Sequence, residues 1–359
     1  HLAKILSAPV ILILDASSMS RSAAATVLGY KEFDKKVDLK GVILNKIASA
    51  THYEYIKKSI EKKLKIPVLG FLPKDKTLNL PERYLGLVPA SEKKDFNLFS
   101  RKLIEVVEKN IDVENLLRIA ENAKPLSAHK RKIFVAPGKL QKRGEVLIAV
   151  AFDGAFNFYY DDNLKILKNL GARIVKFSPI RDKELPENIG GMYIGGGFPE
   201  IFANKLSKNA GLKNEIKMVA ENGLPIYAEC GGLMYLTKRI VDFRNRKFPM
   251  VGLFSCSANM SMKSQALGYA EIEVLKDNIL SRKKEKNRCH IFHWSYLDRV
   301  PENTAFAYKL KKNKRIFYDG LVKKNVLASY AHIHFGSNIN FAKNFIESAK
   351  KYNEDKYEN

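Results

Sequence analysis

The sequence predicts an α/β protein of two layered domains, and three observations carry that reading. Short apolar runs of strand length alternate with amphipathic stretches of helix length, the order that lays helices over a mostly parallel sheet. Several of those runs stop at a carboxylate, an amide, a glycine cluster or a cysteine, the kind of residue a parallel sheet presents at its carboxyl edge. A lysine-rich stretch carrying Pro125 and Pro137, residues 124–144, interrupts the alternation and reads as a linker. It divides a domain at 1–123 from one at 145–350, with a polar tail at 351–359.

The elements follow in order. Val10 to Asp15 is a continuous apolar strand ending in a carboxylate, and Ser22 to Gly29 reads as helix. Leu39 to Asn45 is a strand, His52 to Leu64 an amphipathic helix, and Val68 to Leu72 a further strand. Phe96 to Asn110 is helical, with Phe99, Leu103 and Val107 on one stripe, and Asn115 to Ala123 continues as helix. After the linker, Glu145 to Phe152 opens the second sheet. Gly191 to Ile194, Leu224 to Ala228 and the run Val326 to Ala328 supply further strands.

Composition narrows the class. The 359 residues suffice for two domains that each bury a core, and 46% hydrophobic content is ordinary for a globular chain. No apolar run reaches the roughly 20 residues of a membrane span, and His1-Leu2-Ala3-Lys4 is no signal peptide. Three scattered cysteines, Cys230, Cys256 and Cys289, make no disulfide framework, which fits a reducing cytoplasm. The net charge of +24 comes from lysines spread over the whole chain. Runs such as Lys35-Lys36, Arg282-Lys283-Lys284 and Lys311-Lys312 read as solvated helix or loop faces, and none is interleaved with aromatics as in a nucleic-acid motif. Such a field would still speed the arrival of anionic ligands.

The chemistry gathers at three places. Cys230 stands where a buried strand gives way to a helix opening on Gly231 and Gly232, the layout of a nucleophile elbow. A helix N-terminus is expected to lower the thiol pKa there; the competing reading is a small buried hydrophobe. A base is offered by Ser329-Tyr330-Ala331-His332-Ile333-His334-Phe335, in which a strand would turn His332 and His334 to one face and Ala331, Ile333 and Phe335 to the core. His-x-His also suits a metal pair or structural hydrogen bonds, but no third ligand lies at short spacing. Gly195-Gly196-Gly197 after a strand brings backbone amides close to a ligand, as an oxyanion hole requires, or forms a tight turn.

Glycine triplet, elbow cysteine and late histidine, in that order, resemble a class I triad-type glutamine amidotransferase. Asp153 to Tyr160, Phe177-Ser178-Pro179, Leu267-Gly268-Tyr269 and Phe292-His293-Trp294-Ser295 extend the resemblance to the cobyrinic acid a,c-diamide synthase family. Ala8-Pro9-Val10, Asp15-Ala16-Ser17, Gly41 to Asn45 and Pro81 to Val88 carry it through the first domain. That family also includes enzymes that amidate Ni-sirohydrochlorin on the way to coenzyme F430, and the motifs do not separate the two substrates.

The resemblance implies a P-loop NTPase-like (dethiobiotin-synthetase-like) parallel-sheet domain, then a flavodoxin-like amidotransferase domain. It implies Cys230 as nucleophile, His332 as base, and Gly196, Gly197 and Gly231 around the oxyanion. Asp15 would hold Mg²⁺ and Asn45 would meet the adenine of ATP, although each is also an ordinary cap or turn residue. Glu82 and Arg83 would meet substrate carboxylates or form a surface ion pair. Glutamine, ATP and a tetrapyrrole polycarboxylate are the implied partners. The family's G-x-x-x-x-G-K-[ST] loop does not precede Val10; it is expected upstream of His1, the other reading being a natural variant that has lost ATP binding.

Two departures stand out. Many amidotransferases carry a glutamate two residues after the catalytic histidine, where this chain has His334, so another acceptor, a backbone carbonyl for instance, is expected to orient His332. Cys289 and Ile291 replace the glycine and glutamate of the family's Gly-His-Glu-Phe-His; His290 and His293 in that segment read as hydrogen-bonded rather than metal-bound. Two readings of other classes remain: a stand-alone cysteine amidohydrolase and a basic partition-ATPase-like binding protein.

Overall fold

The computed structural model describes residues 1–80, 82–83, 86–87, 96–126 and 145–358, with 82–83, 86–87 and 357–358 described by backbone alone. Residues 127–144 of the expected linker, and the side chains of Glu82 and Arg83, lie outside the described residues. The chain forms two compact units, His1–Lys130 and Arg131–Asn359.

The first unit is built on a parallel sheet in the order Val10–Asp15, Leu39–Ile47, Val68–Pro73. Val42, Leu44, Ile47 and Val68 meet Ile56, Ile60 and Leu64 of the helix Ala50–Leu64 in one core. Each such side chain, once fully buried, is worth about 1.5–3 kcal/mol of transfer free energy. Ser49 starts that helix by accepting the His52 N–H at 3.2 Å, and Lys65 ends it in a left-handed conformation. The helix Ser22–Phe33 runs a turn beyond Gly29, since nothing within 4 Å of that glycine and no special φ breaks it. Phe96–Asn110 has the expected limits.

The second unit centres on a six-stranded sheet. Its order is Leu321–Lys323, Val326–Ser329, Ile226–Glu229, Gly191–Ile194, Val146–Ala151, Ala172–Phe177, all parallel except the first strand. Helices cover both faces, so its strands read as unbroken apolar runs while their alternate residues serve different cores. Ala149, Met192, Ile194, Ile226 and Ala228 join a core that includes Leu212 and Ile216 of the helix Ala210–Glu221. Ile148, Val150, Tyr193, Tyr227 and Leu327 join another, with Ile166 of Asp161–Asn169 and Phe341, Phe345 and Ile346 of Ile339–Glu358. That last helix runs through residues 351–358.

Between Ile226–Glu229 and Val326–Ser329 the chain makes a long, mostly antiparallel excursion, in which only Thr237–Val241 and Phe254–Met260 pair in parallel among the described strands, and which the mostly parallel expectation omitted. It forms one sheet of Lys247–Pro249, Thr237–Val241, Phe254–Met260 and Ser295–Asp298. A second contains Lys286–His293, Ala266–Val274, Tyr308–Lys312 and Arg315–Asp319. The Lys311-Lys312 run is therefore strand, not a solvated helix or loop. The excursion separates two strands that nevertheless lie side by side, with Glu229 opposite Ser329, and so brings remote segments together at one carboxyl edge. Among the described residues no helix is long and apolar enough to cross a membrane.

Candidate active site

Cys230 follows the last residue of its strand and takes φ 47° and ψ −97°, a left-handed φ that a side-chain-bearing residue adopts only at a cost of about 1–3 kcal/mol. The surroundings hold it there. Its N–H donates to Ser329 O at 2.7 Å, and the Gly232 N–H donates to Gly195 O at 3.1 Å, tying the first helical turn to the glycine triplet. A Cβ on Gly232 would lie 2.2 Å from Ile194 O, so no other residue fits that turn undisturbed. The turn is a nucleophile elbow in backbone geometry.

The glycine triplet lies between the elbow and the histidine. A Cβ on Gly231 would stand 3.0 Å from Gly197 N and 3.4 Å from Gly196 C, and one on Gly196 would stand 2.7 Å from His332 Cε1. Cys230, Gly231, Gly196, Gly197 and His332 thus form one cluster. Gly197 has φ 155° and packs its α-carbon face onto Ala155 O, where a side chain would collide. The Gly232 N–H is already taken, by Gly195 O.

His332 does not sit in a regular strand, because the ladder ends at Ser329. Side chains replace the lost sheet partners. Asp319 accepts the N–H groups of Tyr330 (3.1 Å) and Ala331 (3.0 Å), Glu229 accepts that of Ile333 (3.0 Å), and Asn163 accepts that of Phe335 (2.7 Å). His332 itself exchanges backbone hydrogen bonds with His290 at 2.8 and 2.9 Å. Alternation survives: Ala331, Ile333 and Phe335 are buried, while His332 and His334 both line a cavity. His334 begins a short 3-10 turn, accepting the Gly336 N–H, and lies 3.6 Å from Asp162.

Electrostatics corrects the expectation of a lowered thiol pKa. Burial pushes the Cys230 thiol up to about 12, with the Glu200 and Glu229 carboxylates adding to it, against a small opposing effect of the Gly231 amide. The helix behind it, Gly231–Leu236, has six residues, and its dipole does not offset desolvation. Burial likewise brings His332 down to about 4, helped by His290 and His293. Near pH 7 thiol and imidazole are therefore both neutral.

The residue sequence reasoning missed is Glu229. It is 1% exposed, accepts hydrogen bonds from the Tyr193 and Tyr227 hydroxyls, and sets Oε2 4.0 Å from His332 Nδ1. A carboxylate, rather than a backbone carbonyl, therefore faces the ring. Its position before the cysteine was the available signal, but its partners come from distant segments. Burial raises its pKa to about 7, and that of Asp319 to about 6.

A carboxyl that binds its proton more tightly when folded contributes stability that is full below its unfolded pKa and lost as pH rises through the folded value. For Glu229 that window is roughly pH 4.5 to 7, and the loss is about 2–3 kcal/mol. His332 and His293, both held down to about 4, act oppositely, gaining stability over about pH 4 to 6.5. The clean readout is the difference between wild type and Glu229→Gln in urea unfolding. Wild type should lose about 2–3 kcal/mol relative to the variant between those limits; a constant difference would mean Glu229 is not held protonated.

His293 donates from Nδ1 to Ser295 O at 2.7 Å and stacks on Tyr330 at 3.9 Å, a structural role. Cys289 and Ile291 are buried in the strand Lys286–His293, their side chains in the core. Among the described residues no group of three or more His, Cys, Asp or Glu could hold a metal by itself.

In the first unit Asp15 ends its strand and pairs in register with Asn45, two residues before the end of the neighbouring parallel strand. Asp15 is exposed, lies 2.6 Å from Lys46 Nζ and accepts the Ser17 N–H at 3.0 Å; these bonds bring its carboxyl down to about 2. Asn45 Oδ1 accepts the N–H of Lys46, a residue with φ 60°. One ionised, accessible carboxylate fits a Mg²⁺ ion that arrives with nucleotide phosphates, which needs only one or two protein carboxylates.

Residues 147–339 match the family model of the CobB/CobQ-like glutamine amidotransferase domain, and residues 3–88 that of the CobQ/CobB/MinD/ParA nucleotide binding domain. A cobyrinate a,c-diamide synthase of Dehalococcoides mccartyi is 46% identical over 98% of this chain and 76% of that protein. The chain belongs to the cobyrinate a,c-diamide synthase family. Other members of the family similar to it come from Caldanaerobacter subterraneus, at 42% identity over 98% of this chain, and Methanosphaera stadtmanae, at 40% over 97%; each match covers 76% of the relative. A solved glutamine amidotransferase is a remote likeness, with TM-score 0.40 and 20% identity over 56% of this chain and 98% of that one. Membership makes the chain an enzyme of the glutamine-dependent ligase type with a nucleotide-binding domain.

Proposed function

We propose that this protein amidates the a and c acetate carboxylates of cobyrinate, with ammonia released from glutamine at Cys230 and carboxylates activated by ATP. The observation that carries the reading is the elbow: a cysteine in left-handed φ, against a glycine triplet that touches His332.

The sulfur attacks the side-chain carbonyl carbon of glutamine as His332 takes the thiol proton, so charge forms only within the closed site. The resulting oxyanion is met by backbone N–H groups around Gly231, Gly196 and Gly197. As the C–N bond breaks, His332 returns the proton to the leaving nitrogen; ammonia departs and a glutamyl thioester remains. His332 then deprotonates the water that attacks the thioester, releasing glutamate and restoring the thiol. Glu229, facing Nδ1, steadies the imidazolium that forms in both steps.

In the first unit a substrate carboxylate attacks the γ-phosphate of ATP, giving an acyl phosphate and ADP, and ammonia displaces phosphate to leave the amide. Asp15 would hold Mg²⁺, which when bound neutralises charge on the phosphates, and Asn45 beside it would meet the adenine. Glu82 and Arg83 would meet substrate carboxylates. The high positive charge favours the arrival of anionic ATP and polycarboxylates.

The test is product mass after incubation of the full-length protein with Mg-ATP, glutamine and either cobyrinate or Ni-sirohydrochlorin. Each carboxylate-to-amide exchange lowers the mass by about one unit, from the atoms exchanged in acyl transfer. Two successive losses on cobyrinate are expected. Losses on Ni-sirohydrochlorin alone would move the assignment to coenzyme F430 synthesis, and none on either would overturn it.

A further inference from the structure

A cavity of about 760 Å³ opens beside His332 but is not lined by Cys230, Gly196, Gly197 or Gly231. It lies where the solvent face of the sheet containing Ala266–Val274, Lys286–His293 and Tyr308–Lys312 meets the histidine segment. Register explains its charge. Glu271 stands opposite Arg288 on one neighbouring strand and Lys311 on the other, so the three form a row across the sheet, and Lys312 follows. Among the described residues the side chains of Arg288 and Lys311 make no ion pair or hydrogen bond, although Glu271 lies between them. His290 and His334 add two imidazoles to the wall, and the half-buried Tyr160 and exposed Tyr269 add aromatic surface. Three fixed cations against one carboxylate, with apolar ring faces beside them, suit a flat, multiply charged anion.

We propose that this cavity is a carboxylate-binding site for a polycarboxylated aromatic or macrocyclic ligand, with Arg288 and Lys311 as its principal contacts. The inference deepens the proposed function, on which its choice of ligand rests: the cavity holds peripheral carboxylates of the acceptor. Arg288 supplies a planar fork for one carboxylate, Lys311 a point charge for another, and Tyr269 a face for the ring system.

The full chain is titrated with uroporphyrin, a carboxylated tetrapyrrole, followed by porphyrin fluorescence, with its methyl ester as the uncharged control. The double variant Arg288→Gln/Lys311→Gln should bind uroporphyrin about tenfold more weakly, the loss of two charge-assisted contacts. Lys183→Gln/Lys208→Gln removes the same charge at exposed positions outside the cavity and should leave binding unchanged. Equal weakening in both double variants, unchanged binding in the first, or equally tight binding of the methyl ester would each overturn the proposal. Titration of Cys230→Ala separates the two readings: binding at the cavity needs no glutaminase chemistry, so it should persist there, and its loss would contradict the site as drawn.

Discussion

Cys230→Ala is expected to remove glutamate release from glutamine by at least about 10³-fold, because deleting a nucleophile leaves only the residual catalysis of binding and the oxyanion site. The same change at Cys256 or Cys289 should leave the rate within a few-fold. All three thiols are buried and raised by desolvation, to about 12, 11 and 12 for Cys230, Cys256 and Cys289, so reactivity does not follow from thiol acidity. What distinguishes Cys230 is the elbow: positive φ, the glycine triplet and the nearby imidazole. The measurement is glutamate formation by each variant, with the urea midpoint as a check of folding. Retained activity in Cys230→Ala would mean the chemistry lies elsewhere.

Gly232→Ala should be nearly as damaging without touching a reacting atom. The added methyl would stand 2.2 Å from Ile194 O and 2.9 Å from Ile194 C, both backbone atoms of a central strand. The elbow has to move, and a shift of about 1 Å at a reacting group can cost about 10²-fold in rate. Overpacking of this kind also costs about 1–3 kcal/mol of stability. Gly29→Ala provides the contrast, since nothing lies within 4 Å of that helical glycine; it should gain about 0.5–1 kcal/mol and leave glutamate release unchanged. The comparison is made by glutamate release and urea unfolding of the two variants side by side. A Gly232→Ala protein of full activity would mean that the elbow is not held against the glycine strand.

Legibility in the sequence followed the range of the interactions involved. The strand Gly191–Ile194 and the helix Phe96–Asn110 emerge with their observed limits, because a short apolar run closed by glycines and a three-residue apolar stripe are local signals. The excursion escaped in part because some of its strands alternate buried residues with lysine and arginine. In Lys286–His293, Asn287, Cys289 and Ile291 turn inward while Lys286 and Arg288 face solvent. Charged runs of that kind look like solvated loops until cross-strand partners are known. Cys230, His332 and the glycines were legible as residue types at strand ends. Their acid–base state was not, since the helix N-terminus could be read locally but the desolvation that outweighs it arises from packing. Glu229 shows the same limit, being defined by Tyr193, Tyr227, Ile333 and His332 only after the sheet has assembled.

The most direct test of the central claim is intact-protein mass after exposure to 6-diazo-5-oxo-L-norleucine, a glutamine analogue that alkylates the nucleophile of a glutamine site, followed by peptide mapping. One adduct is expected, on Cys230, formed much more slowly in His332→Ala. An adduct on Cys256 or Cys289, or a Cys230 adduct formed at an unchanged rate without the imidazole, would contradict it.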